Sequence, residues 1–170
     1  DGGNFYHLVL KKLGVSVDGF NFEEFAKFIV GEREICEFGK RYYTGTVREN
    51  HDDPKTKEAM SKQTRLFTRL KLNKWDLKTS KLRRRIEEVI VDRRTVGYEK
   101  LWELGIKKIE YERWREKGID VKLATDLIMG AIDDKYDTAI IVSSDSDLIP
   151  AIDLIRYRMK KRVEYVGFSI

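Results

Sequence analysis

The sequence predicts an α/β fold with a mostly parallel sheet. Three observations carry this. Helix-spaced and strand-like segments alternate along the chain. Thr138–Val142 is an apolar run, the pattern of a central strand buried on both faces. Directly after it come Ser143-Ser144-Asp145-Ser146-Asp147, at the carboxyl end of a strand, where open α/β sheets bind their ligands.

The elements follow in order. Asn4–Leu13 reads as a short helix ended by Gly14. Phe22–Val30 reads as a second, with Phe22, Phe25, Phe28 and Ile29 at helical spacing and Gly31 as its stop. Tyr42, Tyr43, Thr44 and Thr46 mark a strand over Ile35–Val47. Asp53-Pro54 caps a helix running to Leu72, whose apolar stripe is Met60, Leu66, Phe67 and Leu70. Trp75–Leu82 reads as a strand, with Trp75 as either a core residue or a surface for base stacking. Residues 83–114 read as an insertion, with strands over Ile86–Val91 and Ile106–Trp114 and a helical turn over Tyr98–Leu104. Val121–Asp133 is an amphipathic helix, Leu148–Met159 another, and Arg162–Val166 a last strand. The opening Asp1-Gly2-Gly3-Asn4 suits the exit of a central strand, so the first strand is expected upstream of residue 1. The alternative is a start within a loop.

At 170 residues the chain fits one domain, and 41% apolar residues exclude a disordered chain. A single cysteine, Cys36, excludes an internal disulfide, and with only His7 and His51 besides there is no zinc-site pattern. No apolar run is long enough to span a bilayer and no leader opens the sequence, so a cytoplasmic setting is expected. The net charge of +5 is uneven: residues 62–94 hold twelve basic against four acidic residues. That concentration fits a polyanionic partner, or more blandly a solvated face. Lys78, Lys81, Arg83, Arg84, Arg85, Arg93 and Arg94 are its candidate phosphate contacts.

Five aspartates stand where a cleft would form. Asp145 and Asp147 follow the Thr138–Val142 strand, and Asp1, with Asn4 one turn later, would follow the first strand. Asp120 opens the helix at Val121, and Asp126 lies off that helix's apolar stripe. Capping accounts for Asp1, Asp120 and one of the last pair, and a pairing with Lys122 accounts for Asp126. Convergence is the sharper reading. Clustered carboxylates repel and need a hard cation, Mg²⁺ or Mn²⁺, which can activate water against a phosphodiester.

Asp1-Gly2-Gly3-Asn4, Lys117–Asp126 and Tyr136–Pro150, in this order, resemble the NYN domain family, its LabA-like members most closely. The resemblance implies a PIN-like three-layer α/β/α fold and a Mg²⁺- or Mn²⁺-dependent ribonuclease. It implies Asp1, Asp120, Asp145 and Asp147 as metal ligands and Asp126 and Asn4 as further catalytic residues. Residues 83–114 match no part of it. In this reading an RNA backbone is held by the basic segment and Lys122, and a homodimer is left open. Three alternatives stand beside it: an RNA-binding module without useful activity, a metal-dependent phosphatase using Asp1 as nucleophile, and an oligomerising scaffold.

Overall fold

The computed structural model describes residues 1–37, 39–47, 54–115 and 117–168. Among the described residues, six strands and six helices alternate much as expected. Helix α1 (Gly2–Phe5) widens into a π-type turn over Tyr6–Leu10, and α2 spans Phe22–Val30. Strand β1 (Arg41–Thr46), helix α3 (Pro54–Leu72) and strand β2 (Asp76–Lys81) follow. Next come β3 (Arg83–Ile90), α4 (Tyr98–Glu103) and β4 (Lys108–Arg115). Helix α5 (Ile119–Ile132), β5 (Thr138–Val142), α6 (Ile149–Asp153) and β6 (Arg162–Val166) complete the chain.

Several expected bounds move. The strand read over Ile35–Val47 begins only at Arg41; ahead of it the Cys36 carbonyl accepts from the Gly39 N–H at 2.8 Å, a turn rather than a ladder. The helix read over Leu148–Met159 is broken into a 3₁₀ turn at Ser146–Leu148, α6, and a π-type turn at Leu154–Arg158. Pro150 at the start of α6 sits where its missing N–H costs nothing. The cap read at Asp53 lies outside the described residues.

The strands form three pairs. β1 runs parallel to β2, from Arg41 beside Asp76 to Thr46 beside Lys81. β5 runs parallel to β6, from Thr138 beside Arg162 to Val142 beside Val166. β3 and β4 make an antiparallel ribbon. Among the described residues, no direct ladder joins β1 to β5. Between them lies a cavity of about 630 Å³, lined by β1, β5, α2 and α5.

Strand alternation sends successive residues to opposite sides. Tyr42 packs with Phe5, Leu10, Phe22, Leu66 and Leu70, so α1, α2 and α3 share one core. Tyr43 packs with Leu123, Leu127, Ile141, Leu148 and Ile155, so α5 and α6 share the other. Each fully buried Leu or Ile contributes roughly 1.5–3 kcal/mol by leaving water. Trp75 belongs to the first core, edge-on to Phe22, with its Nε1 donating to Glu23 at 3.0 Å; it is not a stacking surface. Gly2 brings α1 against the Tyr42 ring: a Cβ there would lie 2.3 Å from the ring carbon, an impossible contact.

Strands β3 and β4, with α4 between them, form an arm. Its tip has a small core of its own, where Trp102 donates to the Val91 carbonyl at 2.8 Å and stacks edge-on with Tyr98. Along the ribbon Ile86 is 71% and Ile90 68% exposed.

Candidate functional site

The site forms where α1, α5 and the exit of β5 meet. The backbone nitrogen of Asp1 donates to the carbonyl of Val142, the last residue of β5, at 3.1 Å. The charge of Asp120 is felt at this nitrogen, which brings the start of α5 close to Asp1. The Asp1 carboxylate caps α1: Oδ1 accepts from the Asn4 N–H at 3.0 Å. Its Oδ2 accepts from the Ser143 hydroxyl at 3.4 Å. That same hydroxyl accepts the Asp145 N–H at 3.2 Å.

Ser143 is therefore the hinge of the site. It is fully buried at the end of β5, and its one oxygen ties Asp1 to Asp145. The available signal was the position of Ser143, directly beyond the apolar run.

Asp145 caps the 3₁₀ turn, accepting from the Asp147 N–H at 2.9 Å, so capping and site geometry coexist in one residue. Asp120 lies in the first turn of α5, behind Gly118, whose φ of 86° is the left-handed conformation that glycine tolerates. Asp120 and Asp147 line one small cavity of about 300 Å³ with Gly118 and Thr125. Asn4 accepts the Ser144 N–H at 3.0 Å, and the Ser144 hydroxyl bonds both backbone groups of Phe168, at 2.6 and 3.1 Å.

Asp126 lines the cavity of about 630 Å³ together with Asp1, but its contacts are with the sheet. It accepts from the Tyr43 hydroxyl at 2.9 Å and lies 3.9 Å from Arg41 and 3.8 Å from Lys78. Burial pushes the Tyr43 hydroxyl well above its ordinary range, so it remains a donor. The partners of Asp126 thus come from β1 and β2. Lys122, expected beside Asp126, instead donates to the Thr79 carbonyl at 2.6 Å.

The basic segment is partly spent on internal pairs. Lys78 bonds Asp76 at 3.0 Å, Arg84 bonds Glu112 at 2.7 Å and Arg94 bonds Asp92 at 2.6 Å. Lys81, Arg85 and Arg93 are exposed. Arg83 opens β3, opposite Arg115 in the ribbon.

Asp1, Asp120, Asp145 and Asp147 offer carboxylate oxygens, the donors that Mg²⁺ and Mn²⁺ take, so the residues fit such an ion in kind. Among the described residues, no three acidic, His or Cys side chains are gathered tightly enough to ligate one ion. Among the described residues, no helix is long and apolar enough to cross a membrane.

An α/β domain with parallel strand pairs and aspartates following the carboxyl end of a strand is the class that fold and site define. The family model for the NYN domain matches residues 1–169, and the chain belongs to that family. NYN domains are nuclease-like domains of PIN-like α/β fold. Searches of curated proteins and of solved structures returned no match.

Proposed function

We propose that the chain is a metal-dependent endoribonuclease whose Mg²⁺ or Mn²⁺ is held by Asp1, Asp120, Asp145 and Asp147. The observation that carries this reading is the buried Ser143 hydroxyl, which donates to the Asp1 carboxylate and accepts the Asp145 backbone N–H, joining two residues 144 positions apart in the sequence. Asp120 and Asp147 border a second, smaller cavity. A bound divalent ion supplies an activated water and offsets charge on the phosphodiester. The chain does the rest. Ser143 aims the Asp1 carboxylate and holds the Asp145 backbone, and Asn4 fixes the β5 exit through Oδ1. Lys81 and Arg93, both exposed, hold the RNA backbone. Asp126 serves by clamping α5 onto β1 and β2 through Tyr43, Arg41 and Lys78.

The same reading makes the parallel pairs one central sheet of a three-layer fold. An extended segment preceding Asp1 would fill the cavity between β1 and β5. Two features support this: the cavity is flanked by both strands, and the Asp1 nitrogen already bonds Val142 as the last rung of such a ladder would. Cores on both sides of the strands support the layering.

One observation favours a second reading, an RNA-binding domain with little turnover: the acidic groups do not close around a point. Cleavage of labelled RNA with Mn²⁺, Mg²⁺ or EDTA separates the two. Metal-dependent cutting by the wild type, lost in Asp145→Asn/Asp147→Asn, is the expected result. RNA binding with no cutting by either protein supports the second reading, and equal cutting by both indicates a contaminant.

A further inference from the structure

We propose that the arm makes the chain a homodimer, by antiparallel pairing of β3 with β3 of a second copy, centred on Ile86. The arm belongs to no part of the proposed metal site. Among the described residues, β3 is laddered to β4 on one side and no strand lies along its other edge. Arg84, Arg85, Ile86, Glu88, Val89 and Ile90 along it are all exposed. Such an edge is a template for a further strand, and a lone two-stranded ribbon is marginally stable in water.

The order of charges selects the partner. β3 reads Arg84-Arg85-Ile86-Glu87-Glu88, a block whose signs invert about Ile86. Turned antiparallel on itself about that residue, it puts Arg85 opposite Glu87 of the second copy and Arg84 opposite Glu88. Ile86 then meets its own mate. Opposite charges directly across a ladder stabilise it and like charges destabilise it. Charged residues on an edge usually prevent pairing, but this arrangement repels most other strands and accepts its own copy.

The pairing also relieves a conflict inside one copy. The register of β3 with β4 sets Arg85 directly opposite Arg113. Where it sets Glu88 opposite Glu110, Lys108 bridges both carboxylates at 2.6 and 2.8 Å. Arg113 leans towards Glu87 of its own strand pair, at a longer 3.5 Å. A second copy places a further glutamate beside Arg85. The product is a four-stranded sheet, with the two domain bodies at its opposite ends.

Sedimentation of the chain without RNA or metal tests this. The wild type should show twice the monomer mass. Arg84→Glu/Arg85→Glu and Glu87→Arg/Glu88→Arg should each sediment as monomers, and an equimolar mixture of the two should again double in mass. An Ile86→Cys variant in a Cys36→Ser background should cross-link to itself under mild oxidation, whereas Ile90→Cys should not. This second assay needs no charge reversal, so it stands even if the reversed ribbons fail to fold. A monomeric wild type, a dimer that survives both reversals, or an Ile86→Cys chain that does not cross-link overturns the proposal. None of these outcomes depends on nuclease activity.

Discussion

Asn4 and Ser144 are joined across 140 residues by one hydrogen bond of 3.0 Å, from the Ser144 backbone N–H to Asn4 Oδ1. The bond locks the loop that carries Asp145 onto the helix that Asp1 caps. A side chain four residues into the sequence thus sets the position of a carboxylate near its other end.

Asn4→Ala should cost about 1 kcal/mol, the usual net value of one lost hydrogen bond. The Ser144 N–H is left half-buried and without its acceptor. Asn4→Asp keeps the acceptor and should recover most of the loss. Urea unfolding of the three proteins checks this; equal stability of Asn4→Ala and the wild type would show that the loop holds its place without Asn4.

Ser143→Ala removes the hydroxyl shared by Asp1 and Asp145, and strands the Asp145 N–H. The expected cost is about 1–3 kcal/mol for a buried group left unsatisfied. Mn²⁺ binding should weaken as well, while Ser146→Ala, on an exposed residue beside it, should leave metal binding unchanged. Calorimetric titration of both variants distinguishes orientation of the carboxylates from plain stability.

Asp126→Asn should behave differently from Asp145→Asn. It leaves Arg41 and Lys78 facing a neutral amide and should lower stability by about 1–2 kcal/mol. Asp145→Asn keeps its cap, because an asparagine oxygen still accepts the Asp147 N–H. It should therefore lose metal and keep its melting temperature. Thermal unfolding without metal separates the clamp from the ligand.

Asp18 reports on the loop before α2. The Ser16 hydroxyl and then Arg65, bonded at 2.7 Å, hold its carboxyl down to about 2, from an ordinary 3.8. Because the folded value is the lower one, its contribution is complete above the ordinary value and is lost as pH falls from 3.8 towards 2. An NMR titration of the Asp18 carboxyl should show the low midpoint, and Arg65→Ala should raise it. A midpoint near 4 in the wild type would remove the tie between this loop and α3.

Much of the fold was legible because its signals are local. Thr138–Val142 declared β5 by being apolar throughout, and Gly31 stopped α2 where the periodicity ended. The arm was legible as strand, helical turn and strand. Its pairing was not: Arg83–Arg85 and Glu87-Glu88 do not alternate, since both faces of a free ribbon meet water. The aspartates were legible as a group because capping residues and ligands both gather at strand exits and helix starts. Asp126 was not placed, because its partners Arg41, Tyr43 and Lys78 come from β1 and β2, distant in sequence. Lys78 and Arg94 read from the sequence as phosphate contacts, although Asp76 and Asp92, two residues away, are the partners that neutralise them in part.

The most direct measurement is a Mn²⁺ titration followed by electron paramagnetic resonance, on the wild type, Asp120→Asn and Asp145→Asn/Asp147→Asn. A shared acidic site predicts saturable binding in the wild type and its loss in both variants. Wild-type protein that leaves the free Mn²⁺ signal undiminished, or variants that bind as tightly as the wild type, would contradict it.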